Sequence, residues 1–297
     1  MTTSEKPPVR SWLYVPGHKE RMIEKSFGLA ADAVIYDFED AVPLAEKQTA
    51  RDTLTRMLSA PPQAGSPRRY IRMNHPRHAD LFAKDLACAV RLHVEGIAVP
   101  KMESAAEVLA ISEAVGKEER AAGLEQGSLR LKLLVESPKG FLNAHEIAAA
   151  SERTIAISFG AEDFSVEMGL PLVKKAEARE MLYARSAFAI AVAAAGVQPI
   201  DMIWTDLGHN ELLAAEAEQA RRLGFSGKAA IHPDQIDPIN RAFTPDDEEV
   251  SYAREIMGAY NQAVAEGTGV INYKGNFLEE PVIARARRIL KLVGEDA

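Results

Sequence analysis

Apolar, β-favouring runs of four to six residues alternate along the chain with longer stretches of helical periodicity. The strand-like runs cover 12–15, 33–37, 70–74, 96–100, 131–136, 154–159, 202–206 and 229–232, and amphipathic helical patterns include 45–58, 105–123, 176–195 and 211–223. Strand and helix patterns repeating at roughly 30-residue spacing predict parallel strands joined by right-handed crossovers. Eight such units are the number that closes a barrel. An open doubly wound sheet is the alternative, but no G-x-G-x-x-G turn follows the first strand. The expected fold is α/β: a (β/α)8 TIM barrel over residues 1–243.

The pattern changes after Phe243. The stretch TPDDEEV predicts a helix start, with Thr244 as cap, Pro245 in the first helical position and acids in the first turn. That helix is expected to run to about Glu266, with a short hairpin at Lys274-Gly275-Asn276 and a last helix from near Pro281. Residues 244–297 therefore form an extension, expected to act as a lid or as a piece exchanged between subunits.

Composition narrows the function classes. The chain has 297 residues, enough for one barrel of roughly 250 with an extension. At 47% hydrophobic and 26% charged it is ordinary globular protein, and a formal charge of −8 without a long basic run argues against a nucleic-acid or anionic-membrane surface. The single cysteine, Cys88, lies in an apolar helix and allows neither an internal disulfide nor a Cys-built metal site. The opening MTTSEKPPVR lacks an apolar signal-like stretch, and the longest apolar run, 187–197, is short for a membrane span, so a cytoplasmic location is expected.

In barrels of this kind catalytic groups sit at the C-terminal strand ends. Here those ends read Asp37-Phe38-Glu39-Asp40, Arg72-Met73-Asn74, Pro100-Lys101, Glu136-Ser137, Gly160-Ala161-Glu162-Asp163 and His232-Pro233. Acidic ends with a basic one around a single mouth point to a cation site facing an anionic substrate. Glu136 and Asp163 are one unit apart and would top adjacent strands about 4.8 Å apart, close enough to share an ion. Oxygen ligands without Cys or His favour a hard cation, Mg²⁺ or else Mn²⁺. The competing account makes each acid a helix cap or a surface ion-pair partner. Arg72 alternates with apolar residues, so it must be paired. It is either a structural partner of Asp37 or Glu39, or a bidentate clamp on a substrate carboxylate. His232 reads as structural at its strand end.

Several stretches together resemble one family, the citrate lyase β-subunit-like (HpcH/HpaI aldolase) branch of the malyl-CoA and citramalyl-CoA lyases. They are RSWLYVPGHKERMIEK, DAVIYDFEDAVPLAEKQTAR, IRMN, GIAVPKMESAAEV, VESPKGFLNAHEIAAAS, SFGAEDFSVEMG, GKAAIHPDQI and VINYKGNFLEEP. The resemblance implies a Mg²⁺-dependent TIM barrel, assembled as a homotrimer or hexamer, that breaks or makes a C–C bond beside a CoA thioester. By motif, Glu136 and Asp163 match the metal ligands and Arg72 the residue that holds the substrate carboxylate. Glu39 and Asp40 match an acidic pair that holds metal-bound water and a nearby lysine, for which Lys47 is the candidate. Tyr14, Lys19 and Lys25 fall where the family contacts CoA. Glu279 stands where the family usually brings an aspartate over a neighbouring subunit's site. The loop HPRHAD after Asn74 departs from the family's small residues and threonine.

The implied reaction cleaves a 3-hydroxy-3-carboxy acyl-CoA, such as malyl-, citramalyl- or citryl-CoA, into a 2-oxo acid and the enolate of an acyl-CoA. Glu279 is the expected acid. Three alternatives stand beside it: thioester hydrolysis, a CoA-free pyruvate aldolase, and a subunit acting on an acyl-carrier thioester or without catalysis of its own. The tail after Phe243 argues against the simple aldolase.

Overall fold

The computed structural model describes residues 7–170, 179–267 and 272–295. Eight strands close into a parallel barrel in sequence order: β1 (Ser11–Pro16), β2 (Ala33–Asp37), β3 (Arg68–Arg72), β4 (Gly96–Val99), β5 (Arg130–Val135), β6 (Thr154–Phe159), β7 (Gln198–Asp201) and β8 (Gly227–Ala230). Pairing of Ser11 with Lys228 and of Leu13 with Ala230 closes β1 on β8. The helices between strands are α1 (Glu20–Ser26), α2 (Lys47–Met57), α3 (Ala79–Ala89), α4 (Ala105–Ala121), α5 (Pro138–Leu142), α6 (Ala144–Ala149), α7 (Ala161–Glu167), α8 (Leu182–Ala194), α9 (Asn210–Arg222) and α10 (Ile236–Ala242). The expected (β/α)8 barrel is what the chain forms.

Strand alternation decides what fills the barrel. Trp12, Ala33, Ile35, Tyr70, Ala98, Leu134, Ala156 and Ile200 form one buried cluster, with the Trp12 and Tyr70 rings 4.9 Å apart. Burying each large apolar side chain is worth about 1.5–3 kcal/mol, so this layer is a packed core rather than a pore. Apart from this layer, Arg185 of α8 and Lys228 of β8 are fully buried with Asp201 of β7 and Glu216 of α9. Arg185 Nη2 lies 2.8 Å from Asp201 Oδ2, and Lys228 Nζ lies 2.8 Å from Asp201 Oδ2 and 2.6 Å from Glu216 Oε2. Two cations meet two anions, which is the arrangement a water-free charge requires.

β3 and β8 each begin and end two residues earlier than expected, and two expectations need a larger correction. The seventh strand is Gln198–Asp201, not 202–206, and it contains a proline. Pro199 sits at the start of the strand, where its carbonyl accepts from Ser226 N (3.1 Å) and its missing N–H costs the ladder little. The cap after Phe243 is Asp246, not Thr244. Its side chain accepts from Glu249 N while Glu249 bonds back, a complete capping box that outcompetes the threonine. The start of the expected 176–195 helix includes residues outside those described; α8 itself begins at Leu182 after a 3-10 turn at Arg179–Met181.

The described residues divide into two compact units, one spanning Val9–Asn240 and one holding the C-terminal segment from Arg241. In the second, α11 (Asp247–Ala265) and α12 (Glu280–Leu292) bury Val250, Ala253, Ile256 and Met257 with Ile283, Ala286 and Leu290. Spacings of three, four and seven put these on single helix faces. Between the helices a two-residue antiparallel pair, β9 (Asn272–Tyr273) and β10 (Asn276–Phe277), turns at Lys274 and Gly275. Both turn residues have positive φ, 49° and 83°, as the tight hairpin turn demands.

Candidate active site

Register places the first ion pair. Asp37 and Arg72 are direct neighbours at the ends of β2 and β3, and both side chains turn to the barrel axis. Arg72 donates from Nε to Asp37 Oδ1 (2.7 Å) and from Nη2 to Oδ2 (2.6 Å). Asp37 also accepts from the backbone N–H groups of Glu39 (2.8 Å) and Ala41 (2.9 Å), which fixes it. Burial alone would favour a neutral guanidine, but the charge and hydrogen bonds of Asp37 hold Arg72 charged. Its third nitrogen, Nη1, lies 2.9 Å from Glu39 Oε2. The ring of Tyr14 lies beneath, 5.1 Å from the guanidinium carbon. Of the two accounts the sequence allows for Arg72, the structural pairing forms, with Asp37 on Nε and Nη2 and Glu39 on Nη1.

The acidic pair sits above this. Lys101 Nζ lies 2.6 Å from Glu39 Oε1 and 3.4 Å from Asp40 Oδ2. The lysine serving Glu39 and Asp40 is therefore Lys101 and not Lys47. Lys47 instead donates to the backbone carbonyls of Phe38 (2.5 Å) and Glu39 (2.8 Å), tying α2 under the loop. Lys101 holds its ion pairs from a left-handed backbone, φ 56°, an uncommon state for a non-glycine residue that costs of order 1 kcal/mol and clusters at functional sites. Burial raises the Glu39 carboxyl above its usual range despite Arg72 and Lys101. Burial acts the same way on Asp40, but the Glu39 hydrogen bond and the two cations outweigh it and lower Asp40.

Glu136 follows β5 and is 7% exposed, with Oε2 buried and without a hydrogen-bond partner. Burial pushes its pKa up to about 7; Arg72 opposes this, while the charges of Glu39 and Asp163 add to it. Gly160, at the end of β6, makes room for it: a β-carbon there would stand 2.4 Å from Glu136 Cγ. Asp163 is exposed in the first turn of α7, three residues beyond that glycine. The charge of Asp163 is close enough to be felt by Glu136. A buried carboxylate oxygen without a donor calls for an explanation, and carboxylate chemistry suits a hard cation. Among the described residues no group of three or more His, Cys, Asp or Glu could hold a metal. Two carboxylates suit Mg²⁺, which keeps its other positions for water and substrate oxygens.

Other expected site residues lie elsewhere. Tyr14 faces the barrel axis, its hydroxyl accepting from Lys132 Nζ at 2.8 Å. Lys19 caps the N-terminus of α1 by position and Lys25 lies in its last turn, both exposed. Glu279 is exposed at the N-cap of α12 without a side-chain capping bond. His232 caps the 3-10 turn after β8 by accepting from Asp234 N, the structural role expected of it. Sequence reading passed over Lys132, although Leu131-Lys132-Leu133 carries its signal: four residues before Glu136, it shares that residue's inward phase.

Comparison with known proteins gives this geometry its setting. Residues 10–233 match the family HpcH/HpaI aldolase/citrate lyase. Citrate lyase subunit beta of Escherichia coli K12 is 37% identical over 281 residues, covering 95% of this chain and 92% of its own. A (3S)-malyl-CoA thioesterase of Cereibacter sphaeroides is 34% identical, covering 95% and 94%. The crystal structure of CitE from Mycobacterium tuberculosis with magnesium, acetoacetate and coenzyme A superposes with a TM-score of 0.77 at 28% identity, covering 98% of this chain and 99% of that one. With its eight-stranded barrel and acidic mouth, this chain belongs to the HpcH/HpaI aldolase/citrate lyase family, a family of carbon–carbon lyases.

Proposed function

We propose that the protein is a Mg²⁺-dependent lyase that cleaves or forms a 3-hydroxy-3-carboxy acyl-CoA such as malyl-, citramalyl- or citryl-CoA, giving a 2-oxo acid and an acyl-CoA. The observation that carries the reading is the buried, unpartnered Oε2 of Glu136, which feels the charges of Asp163 and Arg72. The magnesium and coenzyme A in the CitE structure support it. Glu136 and Asp163 would hold the ion, which supplies Lewis-acid polarisation of substrate oxygens.

Arg72 binds the substrate carboxylate through Nη1, which gives up its Glu39 contact to do so, and orients the C–C bond to be broken. Glu39 and Asp40, tied to Lys101, hold ordered water at the mouth. The thioester enolate left by cleavage needs positive charge close by, which Arg72 and Lys101 provide. Glu279 from a neighbouring copy protonates the enolate carbon, in a cytoplasmic homotrimer. Lys19 and Lys25 carry exposed positive charge for the CoA phosphates. Tyr14, at the barrel axis, meets the acyl end rather than the nucleotide.

The test is an assay with Mg²⁺ against the three CoA esters that scores 2-oxo acid and free thiol separately. Oxo acid from one ester, lost in Asp163→Asn, supports the lyase. Thiol without oxo acid supports hydrolysis, a second reading favoured by the 34% identity to a malyl-CoA thioesterase. Activity only on a carrier-bound thioester supports the role suggested by the citrate lyase subunits.

A further inference from the structure

Among the described residues two lysines lie wholly buried in the barrel, and the fold treats them differently. Lys228 is matched by Asp201 and Glu216 at ion-pair distance. Lys132 is equally buried, yet among the described residues it has no ion pair; its one hydrogen bond is to Tyr14 Oη. Its remaining neighbours include the faces of Tyr14 and Trp12, with Nζ 5.3 and 5.8 Å from the ring centres. An ammonium so placed costs the fold stability, and a methionine or leucine would fill the same volume at less cost. Burial pushes the Lys132 amine well below its ordinary value. As an ammonium Lys132 has three donors and no lone pair, so Tyr14 Oη accepts from it.

The consequence lies one residue higher. A tyrosine hydroxyl has one proton to give. With Lys132 occupying a lone pair of Oη, and no protein acceptor for the hydroxyl proton among the described residues, that proton is available to a ligand. The ring that carries it lies directly under the Arg72 guanidinium, the group that receives the substrate carboxylate in the function proposed above. Resting on that reading, we infer that Lys132 is a positioning residue for Tyr14, whose hydroxyl donates a hydrogen bond to a substrate oxygen held beside Arg72. Lys132 is fully covered, so it reaches the ligand only through Tyr14.

Binding of oxaloacetate and of pyruvate, with Mg²⁺ present, is measured by calorimetry for the wild type, Tyr14→Phe, Lys132→Met and the double variant, and each protein is also melted. One hydrogen bond to an anionic oxygen is worth about tenfold in affinity. Each single variant is expected to bind about tenfold more weakly and the double variant no worse than either. Lys132→Met is expected to melt at a higher temperature, because it removes a buried unpaired amine. A purely structural lysine would show the opposite pattern: lower melting and unchanged affinity. Wild-type affinity in Tyr14→Phe, which deletes one oxygen and leaves the fold its ring, overturns the inference and leaves the proposed function standing. Multiplying losses in the double variant overturn the action of Lys132 through Tyr14. Borohydride trapping of pyruvate on Lys132 would also overturn it, since the amine would then reach substrate itself. A folded wild type that binds neither oxo acid removes the proposed function, and the inference with it.

Discussion

Replacing Glu136 by glutamine keeps the shape of the side chain and removes its charge, so it tests the origin of the site's acidity. The carboxyl is moved from its ordinary 4.5 to about 7, with burial the largest cause. At about 1.4 kcal/mol per pH unit, holding it ionised costs the metal-free fold about 3 kcal/mol. The sign follows from linkage: a carboxyl with a raised folded pKa adds stability below the unfolded value and loses it as pH rises through the folded one. Wild-type protein without metal should therefore lose about 3 kcal/mol between pH 4.5 and pH 7 relative to Glu136→Gln, with no further divergence at higher pH. For a unit of this size that is about 6–12 °C in melting temperature. The assay is thermal unfolding of both proteins in chelator from pH 4.5 to 8.5, repeated at pH 8 with Mg²⁺. Magnesium should raise the wild-type midpoint by its binding free energy and leave the glutamine variant unmoved. A difference between the two proteins that does not change with pH would refute the account of Glu136 as a carboxylate destabilised by burial.

Three further perturbations probe the supports of the site. Gly160→Ala drives a β-carbon into Glu136 and should cost about 1–3 kcal/mol, with the Mg²⁺-induced rise in melting temperature lost in the same scan. Asp37→Asn removes the bidentate anionic partner of the buried Arg72 and leaves it Glu39 alone, which should cost about 3 kcal/mol, read as a lower urea midpoint at unchanged slope. Asp246→Ala removes the α11 capping box and should cost about 1 kcal/mol, seen by circular dichroism, while oxo-acid binding is retained.

The limits of sequence reading are visible in single elements. β2 and β6 lie within the expected bounds because their β-branched and aromatic runs stop at acidic or glycine-rich loops. β7 is displaced because local preference favours Ile203 and Trp204, whereas the ladder selects Gln198–Asp201 through its pairing with β6 and β8. The same logic governs the lysine at the acidic pair. Lys47 is near Glu39 in sequence, but α2 turns it to backbone carbonyls, and the partner comes from 62 residues away.

The sequence by itself determined the class of this protein. Alternating strand and helix periods dictate a parallel barrel, and carboxylates with one arginine at the strand ends dictate an acidic mouth, because both are properties of local order along the chain. Tertiary structure decided everything that depends on pairing across strands. Register gives Arg72 to Asp37, and the space left by Gly160 lets Glu136 pack in with one carboxylate oxygen buried and unpartnered. Barrel closure sets Lys132 against Tyr14, 118 residues apart. Contact energies act through space, and only the closed barrel brings those groups within reach.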